Sequence, residues 1–371
     1  MREYGEACRA TPHVSHEQAR VLRASAQCRT AALGGPVEAC ETCGTERISS
    51  NSCRHRHCPQ CQGAARAQWL AAAEARLLPV AYFHVVFTLP PLLTPLRRVN
   101  QRLLYTLLLQ AAAQTRQEFA RDPTHLGAAL GLTVVLPTWG QTLPEHVHVH
   151  GLVTGGGLSA EGTHWRPSRR FLFAVTALSR VFRGQYLAGL TRLRAQPRLG
   201  FAGVRAPVAE DAAWATFLRQ LHRPRWVVYA KPPWGGPEQV LKYLSRYTHR
   251  VAISNARLVF VGDGVIHFRY KDYAAGETTK SMELQAEECL RRFVLQGVPP
   301  HCVRIRHFGR LATRARRDQC TRCRHLLAVA AATAVAALPR KNRETPAAGV
   351  EQGASSRGPA CRVGRWRRSE I

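Results

Sequence analysis

Three groups of residues have the types and spacing to do chemistry. The first is cysteine-rich: Cys40-x2-Cys43 and Cys58-x2-Cys61 are separated by 14 residues that hold Cys53, His55 and His57. A CxxC knuckle puts two thiolates on one turn, and two knuckles complete a closed tetrahedral zinc site. Such a site supplies folding energy to a segment too short to build a core of its own. The expected ligands are Cys40, Cys43, Cys58 and Cys61, with Cys53 or His57 as alternatives to one of them.

The second group is Glu145 to Gly151, EHVHVHG. On a strand, side chains alternate between faces, so His146, His148 and His150 project from one face at steps of roughly 7 Å. His148 and His150 can converge on one divalent ion. Gln141 and Gln239 are candidates for a third ligand, and an amide oxygen suits Mg or Mn better than structural zinc. The third group is Tyr243-Leu-Ser-Arg-Tyr247. Phenols four residues apart share a helix face, with Gln239 one turn earlier on it. Lys242, Arg246 and Arg250 form a parallel basic stripe. Tyrosines beside cations suit attack on a phosphodiester, because the cations favour phenolate and neutralise the phosphate.

The elements that must position these groups are legible in part. Cysteine density marks residues 1–62 as a unit, and a helix over 63–80 should link it to a second domain of mixed strands and helices over 81–325. Tyr82 to Leu89 reads as a buried strand stopped by Pro90-Pro91, and Arg97 to Ala120 as one amphipathic helix. Leu132 to Pro137 and His146 to Val153 read as strands joined through Thr142, Leu143 and Pro144, the second ending at Gly155-Gly156-Gly157. Asp211 to His222 should be helical, Arg225 to Ala230 a strand, and Pro237 to about Arg250 a helix. Asp263-Gly264 signals a hairpin between Arg257 to Val261 and Val265 to Tyr270. An Ala-rich segment begins near 326, and from Pro339 eight Lys or Arg, three acids and many Gly, Pro and Ser predict a disordered basic arm.

Of 371 residues, 53 are Lys or Arg and 24 are Asp or Glu, a formal net charge of +29 that points to a polyanionic partner, nucleic acid first. The longest apolar run, Leu326 to Leu338, falls short of the ~20 residues that span a bilayer, so no membrane segment is expected. Nor does a secretory leader precede the twelve cysteines, which predicts a reducing cytoplasm and metal rather than disulfides. No GxxxxGK[ST] loop for ATP is present.

In chain order, Phe87 to Pro90 (FTLP), His148-Val-His150 and Tyr243-x3-Tyr247 resemble the three motifs of HUH nucleases that start rolling-circle replication. The blocks CRTAALGG (Cys28 to Gly35), NSCRHRHCPQC (Asn51 to Cys61), HVHGLVTGGGLS (His148 to Ser159), GGPEQVLKYLSRYTHRVAISN (Gly235 to Asn255) and VRIRHFG (Val303 to Gly309) are similar to two-tyrosine transposases of the insertion-sequence IS-ninety-one family. The resemblance implies an α+β chain: a small zinc-binding domain, then an HUH domain whose antiparallel sheet, flanked by helices, carries the His-x-His on a central strand. It also implies cleavage and rejoining of single-stranded DNA through a 5′-phosphotyrosine, with Mg or Mn at His148 and His150 and Tyr243 or Tyr247 as nucleophile. The implied partners are the single-stranded ends of a mobile element and target DNA, at the bacterial nucleoid. A plasmid replication initiator shares this chemistry. A zinc-dependent DNA-binding protein without catalysis would share only the cysteines and the charge.

Overall fold

The computed structural model describes residues 1–12, 14–168, 173–231, 239, 241–242, 245, 253–272, 275–276, 278–312, 316–336 and 366–370. Two helices open the chain, α1 (Gly5–Arg9) and α2 (His16–Gln27). The second is started by a capping box: the Ser15 hydroxyl accepts from the Gln18 backbone N–H, and the Gln18 side chain accepts from the Ser15 N–H. A hairpin of β1 (Pro36–Cys40) and β2 (Glu46–Ile48) follows, then α3 (Gln62–Glu74), which begins directly after Cys61.

The central sheet is built from β3 (Tyr82–Thr88), β4 (Ala128–Val135), β5 (His148–Ser159), β6 (Trp165–Pro167), β7 (Val228–Lys231) and a late strand, Ile305–Gly309. Its order is Ile305–Gly309, β4, β5, β3, β7, with β6 on β5, and every pairing is antiparallel. Thus β5 is central, as the resemblance implies, and all twelve of its residues are buried. The alternation of β-branched and aromatic residues decides which face is which. Val85, Phe87, Leu132, Val134, Val149 and Val153 point to one side. There they pack on α5 (Gln101–Arg121) and α6 (Val175–Ala195) through Leu104, Leu108, Ala112, Leu178, Phe182 and Tyr186.

Several boundaries differ from the expectations: the linking helix stops at Glu74, β4 is Ala128–Val135 and β7 is Val228–Lys231. Two further differences have a clear physical cause. The helix expected over 97–120 is two helices, α4 (Thr94–Val99) and α5, because Asn100 leaves helical geometry. Its side-chain amide donates to the Leu96 and Gly200 carbonyls and accepts from the Gly200 N–H. And β5 runs through Gly155 to Gly157 instead of ending there. A Cβ on Gly155 would lie 2.7 Å from the Ala81 carbonyl oxygen, and one on Gly157 2.6 Å from that of Ala129. These glycines admit neighbouring backbones rather than make a turn.

Beyond α7 (Asp211–His222), a second antiparallel sheet comprises β8 (Leu258–Gly262), β9 (Val265–Asp272) and β10 (Thr278–Gln285), followed by α8 (Ala286–Leu295). The β8–β9 turn is the expected Asp263-Gly264, both with positive φ. Cys8, Val21 and Leu22 of the N-terminal helices share one apolar cluster with Ile266, Phe268, Leu290 and Phe293, so this part of the N-terminal unit packs on α8 and β9. Ile305–Gly309 is β11, Arg316–Ala336 is α9 and contains the start of the Ala-rich segment, and Trp366–Glu370 is β12. That last strand pairs antiparallel with β1, from Pro36↔Glu370 to Cys40↔Trp366. The arm expected to be disordered from Pro339 is thus ordered at Trp366–Glu370, because these residues pair with β1; its residues 339–365 lie outside the described residues. Among the described residues, no helix is long and apolar enough to cross a membrane.

Candidate functional site

The face of the central sheet opposite α5 and α6 carries the histidines. In the register of β3 and β5, Val86 faces His150, Thr88 faces His148 and His84 faces Leu152. His146, His148 and His150 do share one face, with ring centroids 4.8 and 4.9 Å apart along the series. His84 joins them from β3: its Nε2 lies 2.7 Å from His150 Nδ1, and the two rings stack at 5.0 Å. His148 Nδ1 lies 2.9 Å from the His146 carbonyl oxygen, so that nitrogen is the N–H and Nε2 carries the lone pair. The start of this strand is held by Glu145, whose carboxylate accepts from buried Arg97 at 2.9 Å and from Arg98. Breaking a buried pair of this kind costs about 3–5 kcal/mol, and here it fixes the backbone that leads into the histidines.

Gln141 lies at the tip of the β4–β5 hairpin, beyond the Trp139–Glu145 bridge, and its carbonyl accepts from Arg257. Gln239 is helical and exposed, as is Lys242. Tyr243, Tyr247, Arg246 and Arg250 lie outside the described residues. The described part of their segment has a definite seat: Leu241 is buried in one cluster with Tyr82 and Leu152, the residues two positions from His84 and His150 on the histidine face. Trp69 and Leu70 of α3 pack on the same cluster, and Arg66 donates to the Ser245 hydroxyl at 3.2 Å.

The cysteines converge, but as a different set from the one the knuckle spacing predicts. Cys28, Cys53, Cys58 and Cys61 place their sulfurs within 4.8 Å of one another. Cys40 and Cys43 do not join them: Cys40 ends β1, and Cys43 is exposed in the hairpin turn with its sulfur 3.2 Å from the Thr45 hydroxyl. Backbone pairing explains the exchange. Arg29 N–H donates to the Asn51 carbonyl and Asn51 N–H to that of Gly34, which lays the segment entering Cys53 against the end of α2, where Cys28 sits. His57 is also outside the group, buried beside Gly297. Four thiols without a disulfide are the donor set of a structural zinc site. Burial by itself would raise the Cys61 thiol, but hydrogen bonds from Cys28, Cys53 and Cys58 outweigh it and hold the group down to about 7, toward the thiolate that binds metal.

Comparison with known proteins agrees with this geometry. Residues 131–319 match a family described as "Putative transposase", and residues 1–89 match a transposase zinc-binding domain of the IS-ninety-one type. The chain belongs to the IS-ninety-one type transposases. It is 48% identical to a protein of Sinorhizobium fredii named putative transposase y4qJ, over 88% of this chain and 83% of that one. It is 30% identical to the transposase for insertion sequence element IS801 of Pseudomonas savastanoi pv. phaseolicola, over 77% of this chain and 68% of that one. No solved structure matches.

Two residues of this transposase escaped sequence reasoning. His84 was visible as the one histidine of strand YFHVVFT, at even spacing from Tyr82 and Val86, but its convergence on His150 needs the strand register. Cys28 stands twelve residues before the first knuckle, where spacing offers no motif.

Burial keeps these imidazoles neutral, pushing His84 down to about 4 and His148 to about 3. Folded values below the unfolded value of about 6.5 mean that the unfolded chain takes up protons first, so stability is complete above that pH and falls as pH drops toward 4. Each group contributes about 1.4 kcal/mol per pH unit in that window. With zinc bound and no added Mg or Mn, urea unfolding should show the transposase about 4 kcal/mol less stable at pH 5 than at pH 7 from these two groups, with a smaller loss in His148→Gln.

Proposed function

We propose that this transposase cleaves and rejoins single-stranded DNA through a covalent tyrosine intermediate, with Tyr243 or Tyr247 as nucleophile and His148 and His150 as ligands of Mg or Mn. The reading is supported most by Leu241, two residues before Tyr243, which is buried with Tyr82 and Leu152 on the histidine face of the sheet.

The donor set fits a divalent cation. His148 donates through Nδ1 to the His146 carbonyl, and His150 Nδ1 is engaged by His84 Nε2, which leaves Nε2 of each HUH histidine as its ligand atom. His84 in this role orients a ligand, and Gln141 and Gln239 remain the candidates for the third coordination position. A cation bound there would stabilise charge on a non-bridging oxygen of the scissile phosphate.

The covalent steps belong to the chain's own groups. A tyrosine oxygen bonds to phosphorus, the bond from phosphorus to the 3′-oxygen breaks, and the phenol's proton goes to solvent or to the leaving oxygen. A 5′-phosphotyrosine and a free 3′-hydroxyl result. A 3′-hydroxyl then attacks the same phosphorus and releases the tyrosine, so no phosphodiester is lost overall and no ATP is required. The second tyrosine lets a second cut occur while the first strand is still held, as one-ended rolling-circle movement requires. Lys242, exposed and directly after Leu241, would meet a phosphate of the strand.

Incubation with Mg and labelled single-stranded oligonucleotides carrying the element's ends should give an adduct that survives denaturation and maps to Tyr243 or Tyr247. Each single Phe variant should retain some adduct and fail to complete transposition, and the double variant should form none. An adduct on another residue would overturn the assignment.

A further inference from the structure

The geometry points to Tyr229 and Lys231 on β7 as the seat for the nucleotide that flanks the scissile phosphate: the phenol ring stacks on a base and the ammonium meets its phosphate. This rests on the single-strand cleavage just proposed, and it adds a binding subsite for the substrate strand. Among the described residues, β7 is the edge of the central sheet. Its register on β3 sets Tyr229 opposite Val86, which faces His150 on its other side, and sets Lys231 opposite His84. Directly paired residues project from one face, so Tyr229, Val86 and His150 form one row and Lys231, His84 and Leu152 the next. Two strand spacings place Tyr229 about 10 Å from His150 along its row, one to two nucleotides of a single strand.

The side chains on this rim are unusual for a sheet edge. Val227 is 63% exposed and Tyr229 47%, whereas Val228 between them is buried in the core. Natural edges are usually guarded by charge or a bulge, and exposed apolar groups on them mark binding surfaces. The Lys231 ammonium stands 5.8 Å from the centre of the Tyr229 ring, so cation and aromatic face share one surface. Neither β7 nor β3 contains an Asp or Glu, and the chain carries +29 overall. An aromatic face, a cation and no acid are the composition of single-strand binding platforms, where stacking is tolerant of sequence and the cation tracks the backbone. A second protein strand added to this edge would want main-chain pairing, and would gain nothing from proximity to the histidine row.

The test uses the full zinc-loaded chain with no added Mg or Mn, so that no cleavage occurs, and a 20-nucleotide single-stranded DNA of mixed sequence containing 5-iododeoxyuridine. Irradiation should crosslink the DNA to the peptide containing Tyr229. At about 0.3 M salt, Tyr229→Ala should raise Kd roughly tenfold while Tyr229→Phe, which keeps the ring, binds like wild type. Lys231→Ala should reduce the slope of log K against log salt by about 0.7. Unchanged affinity in Tyr229→Ala, or crosslinks mapping only elsewhere, would overturn the seat, as would a Tyr229→Ala variant altered in self-association alone. None of these readouts depends on the phosphotyrosine adduct, so the seat and the cleavage chemistry can fail separately.

Discussion

Replacing both His148 and His150 with Ala should abolish cleavage of single-stranded DNA and leave most of the DNA affinity in place. The imidazoles stand 4.9 Å apart on a fully buried strand, and in the proposed mechanism their work falls on one phosphate in the transition state. Losing a Lewis acid there costs several kcal/mol of charge stabilisation, roughly a thousandfold or more in rate. Affinity comes from many Lys and Arg contacts and should change less than about threefold at fixed salt while keeping its steep salt dependence. His84→Ala should behave differently from either mutant. If His84 orients His150 through their hydrogen bond, Mn affinity should fall about 10- to 100-fold and recover partly in His84→Gln, whose amide oxygen can accept from His150 Nδ1. A His148→Ala, His150→Ala protein that nicks DNA at the wild-type rate would remove the histidines from the chemistry altogether.

How far the sequence exposes this site follows from which physics is local. The alternation in EHVHVHG depends only on strand geometry, so the shared face of His146, His148 and His150 could be read directly. The α7 bounds were equally legible, because a polar start and an amphipathic run are properties of consecutive residues. His84 and Cys28 were hidden, since each reaches its partners through pairing between distant segments: β3 against β5 for one, Arg29 and Asn51 for the other. The glycine triplet of β5 misled for a related reason. Glycine is a turn former when nothing crowds it and a strand residue when another backbone passes within contact, and the crowding backbone at Gly155, that of Ala81, is more than seventy residues away.

Zinc removal should reach the cleavage centre as well as the N-terminal unit. Cys61 caps the N-terminus of α3, and α3 in turn packs Trp69 and Leu70 on Tyr82, Leu152 and Leu241 and hydrogen-bonds Ser245 through Arg66. This helix joins the zinc unit to the histidine face of the sheet. Structural zinc contributes its binding free energy to folding, so losing it should free the start of α3 and loosen the seat of the tyrosine segment. Cys28→Ser or Cys53→Ser should bring bound zinc below half an equivalent, lower the thermal midpoint and reduce adduct formation at saturating Mg. The Cys40→Ser, Cys43→Ser double variant should keep an equivalent of zinc, because those sulfurs stand outside the four-thiol group. The opposite result, with zinc lost from the Cys40, Cys43 variant and retained by Cys28→Ser, would restore the paired-knuckle ligand set and sever the proposed path from Cys28 through Cys61 and α3 to Leu241.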